Sequence, residues 1–240
     1  MSLIKHIPNT ITSMNLLSGV MGVVFALRGH MELAFPMMLA AAVFDFCDGL
    51  AARLLNAWSA IGKELDSLAD VVSFGVLPSI MLLQTMQEKG CSCWISYIPL
   101  FLAAMSAIRL AKFNLDERQT SDFIGVATPT AAMIAGSLCY FIAVNPGTFL
   151  DAWAGGKWFI PILSVVLGLL LNSEIPMFGM KAGKGHKLLD SKRIVFLSLS
   201  VCAIIAVIVL RLNWSLAVLL IFCLYLVENL VIYAVRSPRQ

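Results

Sequence analysis

Apolar residues fall into eight blocks separated by short polar or charged breaks. The blocks run from about Ile11 to Leu27, Glu32 to Leu55, Glu64 to Met86, Trp94 to Phe113, Ala127 to Val144, Trp158 to Leu171, Ile194 to Leu212 and Leu216 to Val235. Most approach or exceed ~18 residues, the length an α-helix needs to cross the hydrocarbon layer. The pattern predicts an all-α, polytopic integral membrane bundle of about eight transmembrane helices. It reads as a single membrane-embedded domain over residues 1–240, its last two spans (about 194–235) forming a C-terminal extension. No internal repeat breaks this reading. No apolar segment with a small-residue cleavage site follows Lys5, so no cleavable signal is expected.

Eight spans put both termini on one side. Loops assigned alternately collect Lys5, Arg53, Lys63, Arg109, Lys112, Arg118, Lys181, Lys184, Lys187, Lys192, Arg193, Arg236 and Arg239 on the N-terminal side. Arg28, Lys89, Lys157 and Arg211 fall on the other, so the cations divide 13 against 4. The positive-inside rule then places both termini, and the Asn56–Lys63 turn, in the cytoplasm. The basic loop carrying Lys181, Lys184 and Lys187 is expected to meet anionic membrane lipids.

Composition adds little to the class. Hydrophobic residues make up 60% and charged residues 13%, and the net charge of +3 calls for no nucleic-acid partner. Four of six cysteines lie in apolar runs and read as small hydrophobes. Cys91 and Cys93 flank one serine in a short loop: a metal there would need partners the loop lacks, and a disulfide across one residue would be strained.

One stretch does not fit an apolar scaffold. Residues 45–70 read DFCDGLAARLLNAWSAIGKELDSLAD, with Asp45, Asp48, Asp66 and Asp70 at the inner ends of two spans. Charges in such segments are costly and mark function by default. At about 100° per residue, Asp45, Asp48, Gly49 and Ala52 form one stripe, and Gly62, Asp66 and Asp70 another. A tight turn over 56–63 brings the stripes together, with room for a ligand where Gly49 and Ala52 lack side chains. Four close carboxylates need a counter-charge. All-oxygen donors suit Mg2+ or Mn2+; His6, His30 and His186 are too scattered for a zinc set. Two divalent ions on such a cluster would point to phosphate chemistry. Buried ion pairs with Arg53, Lys63 and Arg109, or a cation path, are the competing readings of the same residues.

Asp48-Gly49, Ala52-Arg53, Gly62, Asp66 and Asp70, with Asp45 upstream, match the signature of the CDP-alcohol phosphotransferase family, which this chain resembles. Ile61–Gly75, Arg109-Leu110-Ala111-Lys112-Phe113-Asn114, Gly125–Pro129 and Ile7-Pro8-Asn9 with Thr12 and Asn15 are similar to its bacterial phosphatidylserine synthase branch. Lys112 stands where that branch has arginine, and Ala127 where it has proline.

The resemblance implies transfer of a phosphatidyl group from CDP-diacylglycerol to L-serine with release of CMP. It implies Asp45, Asp48, Asp66 and Asp70 around two divalent ions, with Asp70 as general base. Gly49, Ala52, Arg53, Gly62 and Asp48 would serve the CDP-lipid. Asn9 and Thr12 are further candidates for it, and Ser73, Arg109 and Lys112 for the acceptor. A homodimer in the bacterial cytoplasmic (inner) membrane, active site facing the cytoplasm, is the expected setting. Glycerol 3-phosphate and inositol or its phosphate are the alternative acceptors.

Overall fold

A computed structural model describes residues 6–115, 123–177 and 191–236. The chain is all-α: α1 (His6–Leu27), α2 (Met31–Leu54), α3 (Ala60–Asp70), a π-helical segment (Val71–Val76), α4 (Leu77–Glu88), a 3-10 turn (Trp94–Leu100), α5 (Phe101–Leu115), α6 (Thr128–Val144), α7 (Phe149–Ala154), α8 (Phe159–Leu171), α9 (Ser191–Val209) and α10 (Trp214–Arg236). Among the described residues, five continuous helical stretches are long and apolar enough to cross a membrane, and α6, α8 and the run from Arg193 to Val209 are shorter apolar helices. The protein is thus a multi-pass helical membrane protein. The basic loop at Lys181, Lys184 and Lys187, and His186, lie outside the described residues.

The stretch Ala60–Glu88 is the bundle's axis. Its 29 residues form one continuous helix, two-thirds of whose most apolar window is buried, more than in any other long span. It begins where Ser59 caps α3 by accepting a hydrogen bond from the Gly62 amide at 3.0 Å. The preceding turn closes at Asn56, whose φ of +48° is a left-handed conformation that asparagine tolerates well. That reversal sets α3 back against α1 and the end of α2.

Small residues set the helix spacing elsewhere. At Gly136 of α6 an added Cβ would stand 2.0 Å from Met38 Cε and 2.9 Å from Phe35 Cδ2, so α2 and α6 approach as closely as two backbones with one side chain between them permit. Phe35 stacks on Trp214 at 5.6 Å and 16°, and both rings meet Tyr140. This aromatic cluster docks α10 onto α2 and α6. A two-residue antiparallel ladder, β1 (Phe123–Ile124) with β2 (Pro176–Met177), ties the segment before α6 to the segment after α8. Gly125 beside it has φ +74°, and its amide donates to Ile175 O at 2.9 Å.

Candidate functional site

Five helix ends converge on one side of the bundle: the starts of α1, α3 and α6 and the ends of α2 and α5. They enclose a cavity of about 730 Å³, within the size range of small-molecule sites. Asn9, Thr12, Asp48, Gly49, Ala52, Ser59, Gly62, Lys63, Asp66, Ser67, Asp70, Arg109 and Asn114 supply its polar and open walls. Pro8, Trp58, Leu110, Phe113 and Pro129 are among its apolar ones.

Asp45, Asp48 and Asp66 each place a carboxylate oxygen within 4.8 Å of the others. Two unit charges at that distance repel by about 3.5 kcal/mol at an effective dielectric of 20, so an ionised trio calls for a counter-ion. Asp48 Oδ2 and Asp66 Oδ1 are buried and have no hydrogen-bond partner among the described residues. Buried polar atoms without partners are rare. Hard oxygen donors, close spacing and open lone pairs together fit a divalent cation of the Mg2+ or Mn2+ type.

Asp70 stands apart from that trio. It lies on the cavity wall and is mostly buried, and its Oδ1 accepts a hydrogen bond from Asn15 Nδ2 at 3.2 Å. Asn15 is fully buried, and its main-chain carbonyl accepts from the Ser73 hydroxyl at 3.1 Å. Gly19, one turn along α1, makes room for this contact: a Cβ there would lie 2.3 Å from Ser73 Oγ. Arg109 faces Asp70 from α5, is itself buried, and donates from Nη1 to Thr128 Oγ1 at 2.8 Å while its guanidinium lies 5.7 Å above the Phe113 ring.

Three expected site residues, Ser73, Lys112 and Arg53, sit differently from their sequence-based placement. Ser73 is fully buried against α1 and does not line the cavity. The π segment that starts right after Asp70 explains this: its wider turn advances fewer degrees per residue, so Ser73 leaves the Asp66–Asp70 face. Lys112 is exposed and off the wall. Taking Arg109 as zero, the lining residues Leu110, Phe113 and Asn114 span an arc to about 140°, and Lys112 falls about 60° outside it. Arg53 is exposed on α2, where its Nε donates to Gly49 O at 3.1 Å, and it does not line the cavity. Asp45 lies behind the wall, in the carboxylate trio. Asn9, Thr12, Gly49, Ala52 and Gly62 do line the cavity. The Thr12 hydroxyl donates to Pro8 O at 3.0 Å, inside α1 rather than as a cap.

Sequence reasoning missed Lys63, Ser67 and Asn114 as wall residues. They form a chain: Lys63 Nζ donates to Asn114 O at 3.1 Å and Asn114 Nδ2 to Ser67 Oγ at 2.8 Å. Lys63 is the position after the motif glycine, and its charge at a span end was the available signal. Asn15 is an amide in an otherwise apolar span, the same kind of signal at another place.

Residues 5–170 match the family described as CDP-alcohol phosphatidyltransferase, more than half of the chain. The chain belongs to that family. Its motif residues are those that build the carboxylate trio and much of the cavity wall. Among proteins similar to this family member, one from Helicobacter pylori (strain ATCC 700392 / 26695) named CDP-diacylglycerol–serine O-phosphatidyltransferase is 34% identical over 195 residues, 80% of each chain. A Mycobacterium tuberculosis protein of the same name is 32% identical over 186 residues, 75% of this chain. The match spans 63% of that mycobacterial relative's own length. A Bacillus subtilis protein of that name is 36% identical over 133 residues, 54% of this chain and 72% of its own.

Proposed function

We propose that this protein transfers a phosphatidyl group from CDP-diacylglycerol to the hydroxyl of L-serine, forming phosphatidylserine and CMP. The observation that carries the reading is the family's carboxylate motif folded into one cavity, with Asp70 beside a buried arginine. The names of the relatives from three bacteria support serine as the acceptor.

Asp45, Asp48 and Asp66 would hold the divalent cation, Mg2+ or Mn2+, with Asp70 close enough in sequence to serve a second ion. When bound, such ions neutralise phosphate oxygens and the charge that develops on them. The chain's own groups do the rest. Asp70 accepts the proton of the serine hydroxyl as its oxygen attacks phosphorus; a new O–P bond forms and the bond from phosphorus to CMP breaks. Asn15 holds one oxygen of Asp70, leaving the other for the proton. Arg109 offers a forked donor to the carboxylate of the amino-acid acceptor. Gly49 and Ala52 leave wall space for the nucleotide, with Asn9, Thr12 and Gly62 around it. The diacyl tails stay in the bilayer while the diphosphate enters the cavity.

The loop-charge bias supports an orientation with both termini and the cavity on the cytoplasmic side of a bacterial inner membrane. A single domain over the whole chain, a homodimer and surrounding anionic lipids complete the proposed setting. Lys63 gives the cavity a second cation beside Arg109, which favours a phosphorylated acceptor such as glycerol 3-phosphate as the second reading. Asp70→Asn tests the assigned base: turnover should vanish while cation-dependent binding of CDP-diacylglycerol persists. Near-normal turnover of that variant would overturn the assignment.

A further inference from the structure

The end of the bundle opposite the cavity holds a second reactive pair. Cys91 Sγ and Cys93 Sγ lie 3.3 Å apart in the connection between α4 and the 3-10 turn, both as free thiols. Their backbone is fixed on each side. The Cys91 amide donates to Met86 O at 3.0 Å, and the Ser96 amide and hydroxyl donate to Cys93 O at 3.0 and 2.8 Å. The preceding Lys89 pairs with Asp151 of α7. Cys91 is buried and Cys93 exposed. A disulfide bond is about 2.05 Å long, so the sulfurs need approach by only roughly 1.2 Å, which rotation of the exposed Cys93 side chain can supply.

We infer that Cys91-Ser92-Cys93 is a thiol–disulfide exchange site, with Cys93 as the attacking sulfur and Cys91 as the resolving one. The division of labour follows from exposure. Of the two, Cys93 is open to an incoming disulfide, and Cys91 is held behind it within reach of its sulfur. The hydrogen bond between the two thiols adds to this, drawing the Cys93 thiol below its ordinary range and pushing that of Cys91 up. Lys157 nearby favours the thiolate form of Cys93 as well.

The exchange balances without a further reactant. The Cys93 thiolate attacks one sulfur of an external disulfide, forming a mixed disulfide and expelling one thiolate. Cys91, losing its proton to solvent, then attacks Cys93 Sγ, closes the ring and expels the second thiolate. The pair loses two electrons and the external disulfide gains them. A ring closed across a single residue is strained and exposed, the kind of disulfide that is readily reduced again. On the proposed orientation this end faces away from the cytoplasm, where disulfides persist. The inference stands independently of the reaction proposed for the cavity.

The test uses the full-length protein in detergent micelles, treated with excess oxidised glutathione and mapped by peptide mass. The native chain should lose two hydrogens within the 91–93 peptide and carry no lasting glutathione there. Cys91→Ser should instead accumulate a stable glutathione adduct on Cys93, and Cys93→Ser should leave Cys91 largely unmodified. Dithiothreitol should restore both thiols. A lasting glutathione adduct on Cys93 of the native chain would overturn the proposal. So would a pair that stays reduced while a maleimide labels Cys93 freely.

Discussion

Asn15 Nδ2 donates to Asp70 Oδ1 across the interface between α1 and α3, a 3.2 Å bond between two buried side chains. Ser73, within the π segment, fastens the main-chain carbonyl of the same asparagine. The carboxylate proposed as the base is therefore aimed by α1, not by its own helix alone. Asn15→Leu removes the donor at similar volume. A hydrogen bond to a charged group contributes about 1.5–3 kcal/mol, so kcat should fall by roughly 10- to 100-fold. KM for CDP-diacylglycerol should stay nearly constant; steady-state kinetics separates this from a loss of folded protein.

Gly62 and Gly49 should respond differently to a methyl group. A Cβ on Gly62 would lie 2.9 Å from both Asn9 Oδ1 and Ser59 Oγ, so Gly62→Ala must displace a cavity-wall side chain or the cap of α3. A Cβ on Gly49 meets only Arg53 Nη2, at 3.7 Å, and projects into open space. The expected outcome for Gly62→Ala is a lower melting temperature together with weaker CDP-lipid binding. Gly49→Ala should keep the wild-type melting temperature and weaken binding alone. Thermal denaturation paired with a binding titration checks both.

The two basic residues of α5 should separate in the same way. Arg109 is buried beside Asp70 and bonded to Thr128, whereas Lys112 is exposed off the cavity. Arg109→Lys keeps the charge but loses the planar fork, and should raise KM for the acceptor by at least about tenfold. Lys112→Ala should leave acceptor KM within about twofold, the usual effect of a surface change. Acceptor titrations of the two variants decide between the cavity placement seen here and the shared role that helical spacing alone suggested.

On the opposite side of the bundle, Asp151 is held below its ordinary carboxyl range of 3.8, chiefly by the hydrogen bond from Lys89 and then by the Gly147 amide at 2.9 Å. The sign follows from linkage. A folded value below the unfolded one means that the stabilisation is complete above the unfolded value and is lost as pH falls through the folded one. Asp151→Asn should therefore lower the melting temperature by a constant amount from neutral pH down to about 5, and the difference should shrink below about 4. Melting curves of both proteins across that range check it.

Much of this architecture was legible because membrane spans are written in long apolar runs, and all eight predicted blocks correspond to helices. The facing stripes of Asp45, Asp48, Gly49 and Ala52 against Gly62, Asp66 and Asp70 were readable too, since helical phase depends only on spacing. What escaped depends on departures from ideal phase or on partners far away in sequence. The π segment at 71–76 has no sequence mark, yet it helps turn Ser73 from the cavity to α1. The β1–β2 ladder and α7 are too short to carry a period. Lys63 and Asn114 meet over 51 positions, a contact that only the folded bundle creates.

The central claim is that this cavity joins serine to the phosphatidyl group of CDP-diacylglycerol. Its most direct test is the purified protein in micelles with CDP-diacylglycerol, given isotopically labelled L-serine, glycerol 3-phosphate or inositol in turn, with phosphatidyl product and CMP measured together. The account predicts label in phosphatidylserine matched one to one by CMP, lost on removal of divalent cations and restored by Mg2+ or Mn2+. CMP release indifferent to serine, with glycerol 3-phosphate as the preferred acceptor, would contradict it.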